Sequence, residues 1–80
     1  MRRIVIRAPG CGADTITYLR RIFRMHAEEL KPGERVVFVL DAERFPFAVA
    51  IVASLLAGAG FTVLAMRDED GTRVFQARRV

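Results

Sequence analysis

Val36-Val37-Phe38-Val39-Leu40 is an unbroken apolar, β-rich run, and Lys31-Pro32-Gly33-Glu34 stands directly before it. A strand without polar alternation is covered on much of both faces, so the chain must fold in layers around it. Pro32-Gly33 cannot continue a helix, and upstream the pattern is helical: Ile16, Leu19, Phe23, Ala27 and Leu30 recur at the spacing of one stripe. Arg20, Arg21, Arg24 and Glu28 fall off that stripe and give the helix a wet, mostly basic outer face. Asp14 is placed to cap it, because a carboxylate accepts from backbone N–H groups two or three residues on. Before it, Arg3-Ile4-Val5-Ile6-Arg7 reads as a strand closed by Pro9-Gly10.

Downstream of the run, Asp41-Ala42-Glu43-Arg44 reads as a loop and Asp41 as its turn or cap residue. Pro46 suits the first turn of a second helix, where its missing N–H costs nothing. Between Phe47 and Ala57 only Ser54 is polar. A helix apolar all round is normally buried on every side, which a small two-layer domain does not provide. Its outer side therefore either seats a second copy of the chain in a weak homodimer or presents a neutral alanine surface. Gly58-Ala59-Gly60 ends this helix and Phe61 to Met66 forms a third strand. That punctuation reads against a membrane span across the uncharged run 45–66. Asp68-Glu69-Asp70-Gly71 reads as a turn, and Thr72 to Arg79 as the fourth strand of a hairpin.

The predicted architecture is α+β: a two-layer sandwich of order β-α-β-α-β-β, with both helices on one face of a four-stranded mixed sheet. The first two strands are parallel neighbours through a right-handed crossover, and residues 1–80 make one domain.

Composition narrows the function. The 13 basic against 9 acidic residues leave a net charge of +4, and only Lys31 among the basic residues is lysine. That balance suits an acidic partner without demanding one. One cysteine and one histidine, Cys11 and His26, do not supply four tetrahedral ligands, so no metal is expected. No motif calls for a cofactor. Three apolar residues between Arg3 and Arg7 are too few for a signal-peptide core, and a single cysteine makes no case for an oxidising compartment, so the expected location is cytoplasmic.

Cys11 is the one candidate reactive group. It stands in Pro9-Gly10-Cys11-Gly12, where Gly10 and Gly12 let the backbone turn sharply before a helix. A helix N-terminus favours a thiolate, and Arg7 is a nearby cation. Asp14 acts in the other direction, since a neighbouring negative charge raises a thiol's pKa. His26, more than four helical turns from the cysteine loop, reads as a half-buried helix residue rather than a base.

The order of elements, with a cysteine between the first strand and the first helix, resembles the TusA/SirA-like sulfur-carrier family. The echoes are Leu30-Lys31-Pro32-Gly33-Glu34 leading into Val36 to Asp41, Phe45-Pro46 before the second helix, Gly60-Phe61-Thr62-Val63, and the acidic turn through Gly71. The family's Cys-Pro-x-Pro motif reads here Cys11-Gly12-Ala13-Asp14, with neither proline. The resemblance implies a persulfide-bearing thiol at Cys11, supported by Arg7, Gly10, Gly12 and Asp14, and exchange with sulfur-donor and sulfur-acceptor proteins.

A second reading, ranked below the first, is a non-catalytic basic module that docks nucleic acid or protein. Arg2, Arg3, Arg7, Arg20, Arg21, Arg24, Arg78 and Arg79 are its candidate phosphate contacts, and Phe75 its candidate stacking surface.

Overall fold

Asp14 opens the first helix as its sequence suggests. Its carboxylate accepts from the Ile16 amide at 3.0 Å and the Thr17 amide at 3.3 Å. The computed structural model describes residues 2–7 and 14–80. Within them run β1 (Arg2–Ile6), α1 (Thr15–Glu29), β2 (Arg35–Asp41), α2 (Val49–Ala59), β3 (Phe61–Glu69) and β4 (Thr72–Arg79). The sheet order is β1-β2-β4-β3. The β1–β2 pair is parallel and the other two are antiparallel, so the four-stranded sheet is mixed.

Both helices cover one face. From α1 the stripe Leu19, Phe23 and Ala27 is buried, with Leu30 at its C-cap, and α2 adds Val52 and Leu56. They meet Ile6, Val36, Phe38, Leu40, Phe61 and Phe75 from the sheet. Phe38 is the centre: Phe23 and Phe61 pack edge-on against it at 5.0 and 5.3 Å between ring centroids. Edge-to-face rings add to the area they bury.

Three boundaries differ by more than one residue from the sequence reading. The second helix starts at Val49, not at Pro46 or Phe47, with Ala48 as an N-cap that makes no side-chain bond. The Phe47 amide donates to the Phe45 carbonyl at 2.8 Å and its own carbonyl accepts from Arg73 at 2.6 Å, so residues 45–47 are spent on a turn. The third strand continues past Met66 to Glu69, with an irregularity between Val63 and Ala65. The closing turn shrinks to Asp70-Gly71, both at positive φ (49° and 78°), as a two-residue hairpin turn requires. At the other helix end Gly60 takes φ 104°, a left-handed cap that only glycine adopts without strain.

The uncharged run 45–66 is thus divided between α2 and β3. Among the described residues no helix is long and apolar enough to cross a membrane.

Candidate functional site

The last pair of the parallel neighbours β1 and β2 is Ile6 with Leu40, and α1 is the next element in the chain after β1. In open α/β sheets the carboxyl ends of parallel strands, faced by a helix N-terminus, are where ligands collect. Here a depression of 320 Å³ lies at that end of the strands, mostly on the face away from the helices and with no residue of α1 in its lining; Val5, Arg7, Val39, Asp41, Arg44 and Thr72 line it. Arg7 and Arg44 give it two exposed guanidiniums. Asp41 is the turn residue its position suggests: its Oδ1 accepts from the Glu43 amide at 2.9 Å and its Oδ2 lies 3.8 Å from Arg44 Nε.

The predicted site residues divide. Cys11, Gly10 and Gly12 lie outside the described residues. Arg7 and Asp14, which bracket them, are tied to the same side chain's residue: Tyr18 Oη donates to the Arg7 carbonyl at 2.8 Å, and the Tyr18 amide donates to the Asp14 carbonyl at 3.0 Å. The Tyr18 ring stacks on Phe45, 6.5 Å between centroids, so this anchor is itself held by the core.

Asp14 is engaged on both oxygens. The Thr17 hydroxyl donates to Oδ2 at 2.8 Å, while the amides of Thr17 and Ile16 bond Oδ1. These bonds, the Thr17 hydroxyl first, hold its carboxyl below the ordinary carboxylate value, with Arg20 adding a favourable charge. Two of the free N–H groups at the start of α1 are therefore already satisfied by a resident anion.

The face of the sheet away from the helices carries Arg3, Arg35, Arg67 and Arg78. Register places Arg3, Val37, Gln76 and Ala65 in one row, and Val5, Val39, Val74 and Arg67 in the next. Arg35 and Arg78 are direct cross-strand partners. Two of the eight arginines expected in a basic patch are otherwise employed. Arg79 is turned to the helix side, where Nε donates to the Ala27 carbonyl at 2.8 Å and Nη1 to the Gly60 carbonyl at 3.2 Å. Arg2 lies 3.6 Å from Glu29. Arg20, Arg21 and Arg24 sit on the outer side of α1, a separate face. Phe75 is fully buried on the helix side and offers no stacking surface.

Arg35, Arg44 and Arg67 were missed as candidates. The signal for Arg35 is the alternation set by buried Val36: one residue earlier must point to the opposite face. Nothing local in the sequence singles out Arg44 or Arg67. His26 is a part-buried helix residue, its ring edge-on to Phe38 at 6.1 Å and its Nδ1 3.6 Å from Glu29.

No protein-family profile matches the chain, and no curated protein matches it. Solved structures do. HP1264 from Helicobacter pylori is similar over 99% of this chain and 97% of its own, with TM-score 0.61 and 19% identity. Chains of the antibiotic-resistance methyltransferase Kmr align over 98% of this chain with TM-scores of 0.62 and 0.63 and 15% identity. The chain spans about half the length of those methyltransferase chains, 49% and 50%. At these identities the likeness is one of fold.

Proposed function

We propose that this chain is a small cytoplasmic sulfur carrier, with Cys11 as the thiol that takes up and passes on sulfane sulfur. The Cys11 thiolate attacks the terminal sulfur of a donor persulfide. The donor's S–S bond breaks, the donor leaves as a thiolate, and Cys11 becomes a persulfide. Attack by an acceptor thiolate on the outer sulfur then returns Cys11 to its starting state. No outside oxidant or reductant enters.

The observation that carries this reading is the exposed cation at the carboxyl end of β1, Arg7, four residues before Cys11 in the chain. Arg7 lines the depression together with Arg44, and Asp14 caps α1. A guanidinium near the thiol favours the anionic sulfur of both thiolate and persulfide. The order β-α-β-α-β-β with helices on one face agrees with what the sequence resemblance implies. Asp14 works against thiolate formation, and Arg7 is the cation that offsets it in this reading.

The test is intact mass after incubation with a low-molecular-weight persulfide donor. Wild type is expected to gain one sulfur atom and Cys11→Ser none. A native protein that gains no sulfur, or whose thiol resists iodoacetamide until denatured, overturns the proposal.

A further inference from the structure

On the open face of the sheet Arg35 and Arg78 stand directly opposite each other on β2 and β4. Like charges at such a position destabilise a sheet. A third cation joins them, since Arg3 on β1 is in register with Val37, two residues along β2 from Arg35. All three side chains are exposed, and among the described residues no carboxylate lies within ion-pair distance of any of them. The acids of this face, Asp41 and Glu69, lie toward its other end, next to Arg44 and Arg67. Glu34, the chain neighbour of Arg35, spends its carboxylate on the Lys31 amide at 2.7 Å.

From this cluster a depression of 160 Å³ crosses the sheet, with Arg3 and Arg67 among its lining residues and Val37, Val74, Ala65 and Gln76 between them. Guanidinium forks match phosphate oxygens, and Gln76 adds a neutral donor. We infer that this face binds the phosphate backbone of double-stranded nucleic acid, with Arg3, Arg35 and Arg78 as the contacts that set its affinity. The occupant is a duplex rather than a single strand because the face has no ring for splayed bases. Phe23, Phe38, Phe45, Phe61 and Phe75 are all buried, Phe47 is part-buried against the core on the helix side, and Tyr18 is committed to Phe45 and Arg7. Without stacking, single-strand binding loses its main sequence-tolerant contribution. Binding through phosphates alone is independent of sequence and sensitive to salt.

The inference does not depend on Cys11, and Cys11→Ser is expected to bind as wild type does. The probe is a fluorescent mixed-sequence DNA duplex titrated by anisotropy between 50 and 200 mM salt. Three phosphate contacts predict a slope of log K on log salt of about −2.7, a loss of roughly 40-fold across that range. Each of Arg3→Gln, Arg35→Gln and Arg78→Gln is expected to weaken binding and flatten the slope by about one. The triple change Arg20→Gln, Arg21→Gln, Arg24→Gln on α1 is expected to leave the slope unaltered. Without DNA, Arg78→Gln is expected to raise the thermal midpoint by removing the opposed charges. The inference is overturned if the three sheet variants bind as wild type, or if the α1 variant alone loses binding. Tighter binding to a single strand, binding to phosphatidylserine vesicles but not duplex, or a lower midpoint for Arg78→Gln would also overturn it.

Discussion

Arg79 Nε donates to the Ala27 carbonyl at 2.8 Å, tying the end of β4 to the last turn of α1 across the two layers. The same guanidinium reaches the carbonyls of Gly60 and Val80, while the Arg79 backbone bonds Gly33 and Glu34. One part-buried side chain thus joins the C-terminal ends of both helices to the sheet.

Arg79→Met is expected to cost about 2 kcal/mol, since it strands carbonyls that charged donors had satisfied. In a domain of this size that lowers the thermal midpoint by roughly 10 °C. Arg79→Lys should recover only part of the loss, because an ammonium lacks the planar fork. Equal midpoints for Arg79→Met and wild type would show these bonds to be incidental.

Gly60→Ala attacks the same junction from the other side. Its Cβ would stand 2.7 Å from Arg79 Nη1, at a backbone φ of 104°. A loss of about 1–2 kcal/mol is expected from strain at that φ. The double variant with Arg79→Met should lose less than the sum, since the clash disappears with the guanidinium. Strict additivity in urea denaturation would separate the two effects.

Asp14 predicts an acid-sensitive helix start. Its folded carboxyl titrates below the ordinary value of 3.8, chiefly through the Thr17 hydroxyl. The stabilisation is therefore complete above the ordinary value and is lost as pH falls through the lower folded value. Wild type should exceed Asp14→Ala in urea midpoint at neutral pH, and the gap should narrow in acid. A gap that is independent of pH would place the effect elsewhere than in the carboxylate. Asp14→Asn keeps a cap while removing the charge, and faster native alkylation of Cys11 is the expected result.

Tyr18→Phe keeps the stack on Phe45 and removes the one hydroxyl that bonds Arg7. A cost of about 1 kcal/mol is expected. Faster hydrogen exchange should be confined to amides at the start of α1 and the end of β1. Uniform acceleration through the core would mean that Tyr18 supports the whole fold.

For α2, we propose that its outward strip seats a second copy weakly. Ala50, Ile51, Ser54, Ala57 and Gly58 are exposed, whereas Ala53 is half-buried. Sedimentation should show association at high concentration that Ala57→Glu abolishes without lowering the thermal midpoint. Ala53→Glu should lower the midpoint as well. A monomer at every concentration assigns the strip to solvent.

The fold was legible where neighbours along the chain decide it. The stripe Leu19, Phe23, Ala27, the cap at Asp14, the run Val36 to Leu40 and the stop at Gly60 are local patterns, and each stands where it was read. What escaped depends on distant partners. The start of α2 moved to Val49 because Arg73, 26 residues away, holds the Phe47 carbonyl. The extension of β3 through Arg67 and Asp68 follows from pairing with Val74 and Arg73, which overrides the turn propensity of an acidic run. Arg79 counts as a surface charge in the sequence, yet three carbonyls employ it in the fold. The basic face is legible only once register shows which arginines share it.

The strand order also sets the sequence of events when the chain is made. β4 lies between β2 and β3, so β3 has no neighbour, and the outer edge of Val36 to Leu40 stays unpaired, until β4 emerges from the ribosome. A nascent chain held short of residue 72 presents a bare apolar edge, the kind of template on which chains misassociate. The hairpin turn at Asp70-Gly71 shortens that exposure, because β3 and β4 can zip locally and then dock as one ribbon. An emerged chain held just short of that turn should therefore aggregate more readily than one held at any earlier length.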